Sequence, residues 1–341
     1  MRKQNLRFTS SLLFAFIVLT TSTSPLLHVT SYSLSPPTMS ATYFGETKAA
    51  GTTVQVTFDG GNVSPKYALG YWSIRGLGAP LTMMLCAAKV PFTLFLYDIV
   101  ENDENGWNSD YFAAKKDYIK DYDSPLWNLP FCVDRENKNV VCQTNAVFSH
   151  LGRACGMLGD DAKTTSQCEQ LLCEIYDLRN IMVQYAYGSS EVDPKGVLQN
   201  AMKHLQKLES WLELQAKSMS KTNDEDESAK RAKVNAVHLV GGKFSAPDFH
   251  LYEMLDQFNA FAKFYELDDF MTDLMRLREF YEGFAALEEN QFYLKSWLHK
   301  ELPFNNCMAK FGSLPGPKTY VHKESADLAM WRQKGVVTLS P

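Results

Sequence analysis

Hydrophobic and polar positions alternate with two different periods along the chain. From Lys66 the apolar residues come in short runs. Tyr67 to Trp72 reads as a strand, Gly76 and Gly78 make a turn, and Pro80 suits the first turn of a helix in which Leu81, Leu85 and Ala88 keep helical spacing. Pro91 stops that helix, and Phe92 to Tyr97 reads as a buried strand. The polar stretch from Asp98 to Ser124 is too long for a simple connection and is expected to be a functional or lid-like loop. Phe131-Cys132-Val133 and Val140-Val141-Cys142 flank Asp134 to Asn139 as a hairpin, and a helix opens at Gln143 and runs to about Cys155. The order is β-α-β followed by β-β-α, within residues 66–156.

From Lys163 the period becomes helical. Leu171, Ile175, Leu178, Met182 and Tyr185 share one helix face. A second amphipathic helix over Val197 to Ala216 carries Leu198, Met202, Leu205, Leu208 and Leu212. The acidic run Asn223-Asp224-Glu225-Asp226-Glu227 lies in a polar insertion at 218–237, expected to be an exposed loop. Phe244-Ser245-Ala246-Pro247-Asp248-Phe249 is a strong helix start, with Ser245 and Asp248 as a capping box and Phe244 against Phe249 as a hydrophobic staple. We read Ser245 and Asp248 as folding residues. The expected fold class is therefore α/β plus all-α: a domain at 66–156, a helical domain at 163–312 and an irregular tail at 313–341 with Pro315 and Pro317.

The N-terminus follows neither pattern. Arg2, Lys3 and Arg7 precede the apolar run Leu12 to Leu19, then a Ser/Thr run with Pro25, which is the layout of a signal or targeting peptide at 1–30. Residues 31–65 are rich in Ser, Thr, Gly and Pro and read as a linker or further targeting sequence. Such a leader implies the secretory pathway (endoplasmic reticulum or secreted), or a plastid in an organism with a secondary plastid; without its use the protein would be cytoplasmic. The rest of the composition is ordinary for a globular protein, with 45% hydrophobic and 21% charged residues in 341. A net charge of -5 with no basic, aromatic-interleaved stripe argues against nucleic acid, and no later apolar run approaches a membrane span. The seven cysteines have no metal-ligand spacing and mostly sit in apolar runs, as small buried hydrophobes do. Cys132 and Cys142 are symmetric about Asn137, so a simple hairpin would set them opposite each other, within disulfide range. Asn62-Val63-Ser64 is a glycosylation sequon disfavoured by Pro65.

The chemistry concentrates in the first domain. Leu69-Gly70-Tyr71-Trp72-Ser73-Ile74-Arg75-Gly76-Leu77 puts a phenol and an indole where a strand gives way to a helix. Asn128-Leu129-Pro130 precedes a strand, and Gln143-Thr144 opens a helix whose N-terminal N–H groups suit a carboxylate. A tyrosine hydroxyl stays protonated near pH 7 and can donate to an anion.

In these motifs the chain resembles a glutathione transferase of the mu class or a near relative, over roughly Tyr67 to Phe311. The resemblance implies a thioredoxin-like domain followed by an all-helical one, a homodimer, and glutathione as co-substrate without a metal. It gives Tyr71 the task of stabilising the glutathione thiolate, which then attacks a hydrophobic electrophile. Trp72 and Leu77 would touch the tripeptide, while Arg75 would hold the site together electrostatically. Pro130 would be cis, letting Leu129 pair its backbone with the cysteinyl part beside Asn128, and Gln143 with Thr144 would take the γ-glutamyl carboxylate. Asp177 would reach across the dimer to the γ-glutamyl amine.

The glycine carboxylate would fall to Trp107 with either Lys115 or Lys116, because the loop here is about eight residues longer than the family's. Tyr176, Arg179 and Tyr187 would line the electrophile pocket, with Val183, Phe304, Met308 and Phe311 as further candidates. The dimer key would be Leu126 or Trp127. Two other activities fit the same scaffold: a glutathione-dependent isomerase or peroxidase of the sigma type, and a non-catalytic carrier or structural relative.

Overall fold

The computed structural model describes residues 52–58, 65–102, 106–189, 192–219, 237–313 and 336–341. The leader, the sequon at Asn62 and the acidic run at 223–227 lie outside the described residues. Three of the expected strands form where the apolar runs place them: β2 (Tyr67–Trp72), β3 (Phe92–Tyr97) and β6 (Phe131–Asp134). The helix α1 (Gly78–Ala87) links β2 to β3 as a parallel pair. β6 runs antiparallel to β2, and β7 (Asn139–Cys142) antiparallel to β6, ahead of α3 (Thr144–Ala154).

Side-chain alternation gives the sheet two faces. Leu69, Phe92, Leu94, Leu96 and Cys132 join the main core with α1 and α3. Ala68, Phe95, Tyr97, Phe131 and Val133 face the other way.

Three expectations are corrected. The polar stretch 98–124 is not a plain loop: it holds a small hairpin, β4 (Val100–Asn102) with β5 (Gly106–Asn108), and the helix α2 (Asp110–Asp121). Ser109 caps α2 by accepting from the Tyr111 N–H, and Tyr111 and Tyr118 bury its inner side against Tyr97, Trp127 and Phe131. The segment read as linker carries a strand, β1 (Thr52–Val56), and the tail carries another, β8 (Val336–Leu339). Both extend the sheet, whose order is β7-β6-β2-β3-β1-β8.

Third, all seven cysteines are free, because the hairpin register pairs Phe131 with Cys142 and Cys132 with Val141. Cys132 and Cys142 thus point to opposite faces. The cause is the turn. Asp134 Oδ1 accepts from the N–H groups of Glu136 (3.1 Å) and Asn137 (3.0 Å), and Lys138 takes a left-handed φ of +52°, which shifts the pairing by one residue from the symmetric arrangement.

Helices make up the second half. They are α4 (Ala162–Tyr187), α5 (Pro194–Met219), α6 (Ala246–Phe264), α7 (Met275–Ala286), α8 (Glu288–Lys295) and the short α9 (Trp297–Lys300). Leu171, Ile175, Leu178, Met182 and Tyr185 are all buried, as their spacing predicts, and so are Leu205, Leu208 and Leu212 of α5. Among the described residues no helix is long and apolar enough to cross a membrane.

The capping box forms at α6. Asp248 Oδ2 accepts from the Ser245 N–H (2.7 Å) and hydroxyl (2.9 Å), its Oδ1 accepts from the Leu239 N–H (2.7 Å), and the Phe244 and Phe249 rings stack at 5.6 Å. One fully buried carboxylate thus satisfies donors from both the helix start and the preceding turn. Replacing it leaves buried N–H groups unpaired, so Asp248→Ala should cost about 2–3 kcal/mol. Denaturant unfolding should show a lower midpoint with an unchanged slope; an unmoved midpoint would deny Asp248 this role.

Candidate functional site

Tyr71 lies near the end of β2 and is buried. The turn after it closes over the ring. A Cβ at Gly78 would sit 2.7 Å from the ring, and one at Gly76, where φ is +39°, would lie 2.8 Å from the hydroxyl. Only glycine lets the backbone approach so closely. The Leu77 backbone N–H lies where it favours the ionised form of the Tyr71 oxygen, and a phenol approached by an N–H donor can still donate its own proton. Burial raises the phenol above its ordinary value, against the opposing pull of the nearby Arg179 cation and the Leu77 N–H. The hydroxyl therefore stays protonated throughout the neutral range. Tyr71, Ile74 and Leu77 form a small apolar cluster with Trp72, Leu129 and Tyr176 packed against it.

Arg75 fixes this turn to the helical domain. Its Nε and Nη2 donate to the two Glu253 oxygens at 3.0 and 2.7 Å, and Nη2 also reaches Asp256 at 2.6 Å. Phe304 covers the guanidinium at 4.3 Å. Burial works against the charge of Arg75, and the two carboxylates more than offset it. Burial likewise opposes ionisation of Asp256; Arg75, His299 and the Tyr281 hydroxyl at 2.7 Å outweigh it and hold that carboxyl below its ordinary value. The backbone repeats the attachment, with the Arg75 N–H on Pro303 O (2.7 Å) and the Gly76 N–H on Phe304 O (3.1 Å). Sequence reasoning missed Glu253 and Asp256. Their signal was two acids one turn apart inside the otherwise apolar run Leu251 to Phe258.

The Leu129-Pro130 bond is cis, with Asn128 exposed and Leu129 half-buried beside Tyr71. Gln143 stands at the N-cap of α3 with a left-handed φ of +75°, a conformation that costs a non-glycine residue roughly 1–3 kcal/mol. Its side chain does not cap the helix, and Thr144 opens the first turn, buried. Trp72 is half-buried under α2, its ring 5.3 Å from Tyr111 and 5.9 Å from Phe112. Lys115 is half-buried and near enough to Cys142 to lower a thiol that burial raises; Lys116, one position on, is exposed. The backbone of Trp107 lies in β5 opposite Glu101, and its side chain falls outside what is described.

On α4, Asp177 is exposed, while Tyr176 and Arg179 are half-buried with the guanidinium 5.8 Å from the Tyr176 ring centre. Tyr187 accepts the Asn306 N–H at 2.8 Å, which draws the segment after α9 onto the end of α4 beside Tyr71 and Arg179. Phe304 and Phe311 do not line a pocket as expected: both are buried in the core, where Phe304 covers Arg75. Trp127 is also interior at 1% exposure, whereas Leu126 is 72% exposed. Of the two residues expected as a dimer key, Leu126 is thus the exposed one. Among the described residues no three acidic, histidine or cysteine side chains group as metal ligands.

The comparisons agree with this layout. Residues 176–298 match the family "Glutathione S-transferase, C-terminal domain". Mouse glutathione S-transferase Mu 5 is 27% identical over 253 residues, 73% of this chain and 97% of its own length. The solved glutathione S-transferase Blo t 8 superposes with a TM-score of 0.53 at 22% identity, covering 72% of this chain and 99% of its own. A Pi-class glutathione S-transferase of Onchocerca volvulus gives a TM-score of 0.53 at 19% identity, with the same coverage. The chain is thus similar to glutathione S-transferases along most of their length. Its fold is a thioredoxin-like domain followed by a helical one, as in these solved glutathione S-transferases.

The Arg75 cluster is the part of the site most open to a direct test. Removing the cation leaves Glu253 buried without compensation, so Arg75→Met should cost about 3–5 kcal/mol. Chemical unfolding measures this, and a loss under about 1 kcal/mol would show that the carboxylates find other partners.

Proposed function

We propose that the protein is a glutathione transferase in which the Tyr71 hydroxyl donates to the sulfur of bound glutathione and stabilises its thiolate for attack on a hydrophobic electrophile. The observation that carries this reading is the state of the Tyr71 oxygen. It is enclosed by the Gly76 and Gly78 turn beside Leu129 and Tyr176, where burial favours the protonated phenol. A free thiol has a pKa of about 8.5, so little is anionic at neutral pH. Lowering that value by about two units requires roughly 2.7 kcal/mol of preference for the anion, which one aimed donor in a dry site can supply.

The rest of the tripeptide is assigned by the same logic. Leu129, presented by the cis bond, pairs its backbone with the cysteinyl residue, and Asn128 lies alongside. Gln143 and Thr144 hold the γ-glutamyl carboxylate at the N-terminus of α3. Trp72, Leu77 and Trp107 contact the peptide. Lys115, half-buried on the inner side of α2, neutralises the glycine carboxylate in preference to Lys116, which is exposed. Tyr176, Arg179 and Tyr187 border the electrophile. In a homodimer, Leu126 inserts into the partner and Asp177, which has no hydrogen-bond partner among the described residues, reaches the partner's γ-glutamyl amine.

Two measurements test this. With a chloronitrobenzene electrophile, kcat/KM should rise with pH through the bound thiol's pKa, about two units below the free value. Tyr71 itself stays protonated across that range. Tyr71→Phe should move the limb back toward about 8.5 and lower the rate about 10–100-fold near pH 6.5. Equal profiles for the two proteins would refute the role of Tyr71. Lys115→Ala should raise the KM for glutathione roughly tenfold, the worth of one partly exposed ion pair, with little change in kcat. Lys116→Ala should leave both constants near wild type; the reverse pattern would reassign the carboxylate.

A further inference from the structure

The two strands at the outer side of the sheet come from opposite ends of the chain, and neither belongs to the β-α-β and β-β-α units. Between them they show an order of dependence. β1 is antiparallel to β3 from Thr52↔Leu96 to Val56↔Phe92, and β8 is parallel to β1 from Thr53↔Val336 to Val56↔Leu339. Among the described residues β8 pairs with β1 and with no other strand.

β1 is built into the interior. Val54 and Val56 are fully buried in the main core, Phe58 just beyond them meets Phe292 of α8 at 5.3 Å, and Thr53 and Thr57 are buried on the other face. β8 is held far less deeply: Thr338 is exposed and Leu339 only half-buried, tied back by the Thr57 N–H to Leu339 O at 3.1 Å.

We propose that β1 is a retained structural strand that clasps the C-terminus of the chain to the sheet, so that removal of any N-terminal leader has to stop upstream of Thr52. A cut beyond Val56 would take away two fully buried valines of the core, Val54 and Val56, uncover the edge of β3 and leave β8 without the strand it pairs with. What maturation must keep therefore includes Thr52 to Phe58, well inside the region that composition alone assigns to a linker.

Hydrogen exchange on the full-length chain, followed by mass spectrometry, tests the dependence. Gln55 has an exposed side chain in the middle of β1, so Gln55→Pro removes a strand N–H while disturbing little packing. Protection at Val336–Leu339 should fall at least about tenfold, with that of β6 and β7 unchanged. Thr338→Pro should free β8 yet leave β1 protected, since β1 still pairs with β3. Persistent protection of β8 in Gln55→Pro, or loss of β1 protection in Thr338→Pro, would overturn the proposal. Should Gln55→Pro not fold, Val54→Ala carries the same test, with faster exchange in β8 than in the β6–β7 hairpin as the expected result and equal effects as the contrary one. In protein recovered from its own cells, the N-terminal residue should lie upstream of Thr52; a mature chain starting beyond Val56 would also overturn it.

Discussion

Three charges are buried together where the turn after β2 meets α6, and the geometry of the site follows from how they satisfy one another. A guanidinium taken out of water is tolerated only when its donors find acceptors in its own plane. Glu253 and Asp256, one helical turn apart, offer them at one separation and one angle between the turn and the helix. The Pro303 and Phe304 carbonyls hold the backbone of the same turn. With Arg75 so fixed, Gly76 and Gly78 are pressed onto the Tyr71 ring and the Leu77 N–H is aimed at its oxygen. The chemistry of the phenol is thus set by an ion pair it does not touch.

The same arrangement explains why the site needs both domains. Tyr71, Leu129, Gln143 and Thr144 come from the sheet and its loops, whereas Tyr176, Arg179 and Tyr187 come from α4. The helical domain supplies the cation beside Tyr71 and the apolar wall, and the segment after α9 ties that wall down through Tyr187. A low-dielectric surrounding strengthens a hydrogen bond, and around Tyr71 it is produced by the packing of one domain on the other.

Much of this could be read from residue order, and the failures have physical causes. Tyr67–Trp72 and Phe92–Tyr97 were recoverable because buried strands need continuous apolar runs, and the α6 start because a capping box is a local signal. β1 was missed although Val54, Val56 and Phe58 alternate with Gln55 and Thr57. Seven residues of alternation inside Ser-, Thr- and Gly-rich sequence are weak evidence when both neighbouring strands are distant. α2 was missed because it buries only Tyr111 and Tyr118, a stripe too thin to stand out against polar residues. The cysteine pairing failed on a single turn: Asp134 reorganises the hairpin by one residue, and in a sheet one residue reverses the face. The two acids left a local trace, but their pairing with Arg75 joins positions 178 and 181 residues apart, and nothing local names that partner.

The outermost pair of strands has a consequence for the order of assembly. Their contacts join nearly the first described residue to the last, the largest sequence separation in the sheet. Closing so wide a loop carries an entropic cost that shorter-range contacts do not, and during synthesis β8 leaves the ribosome only after every other element is available. The interior, with the phenol and its ion-pair brace, can therefore be complete before the last strand docks, making β8 the finishing stitch on a body already formed.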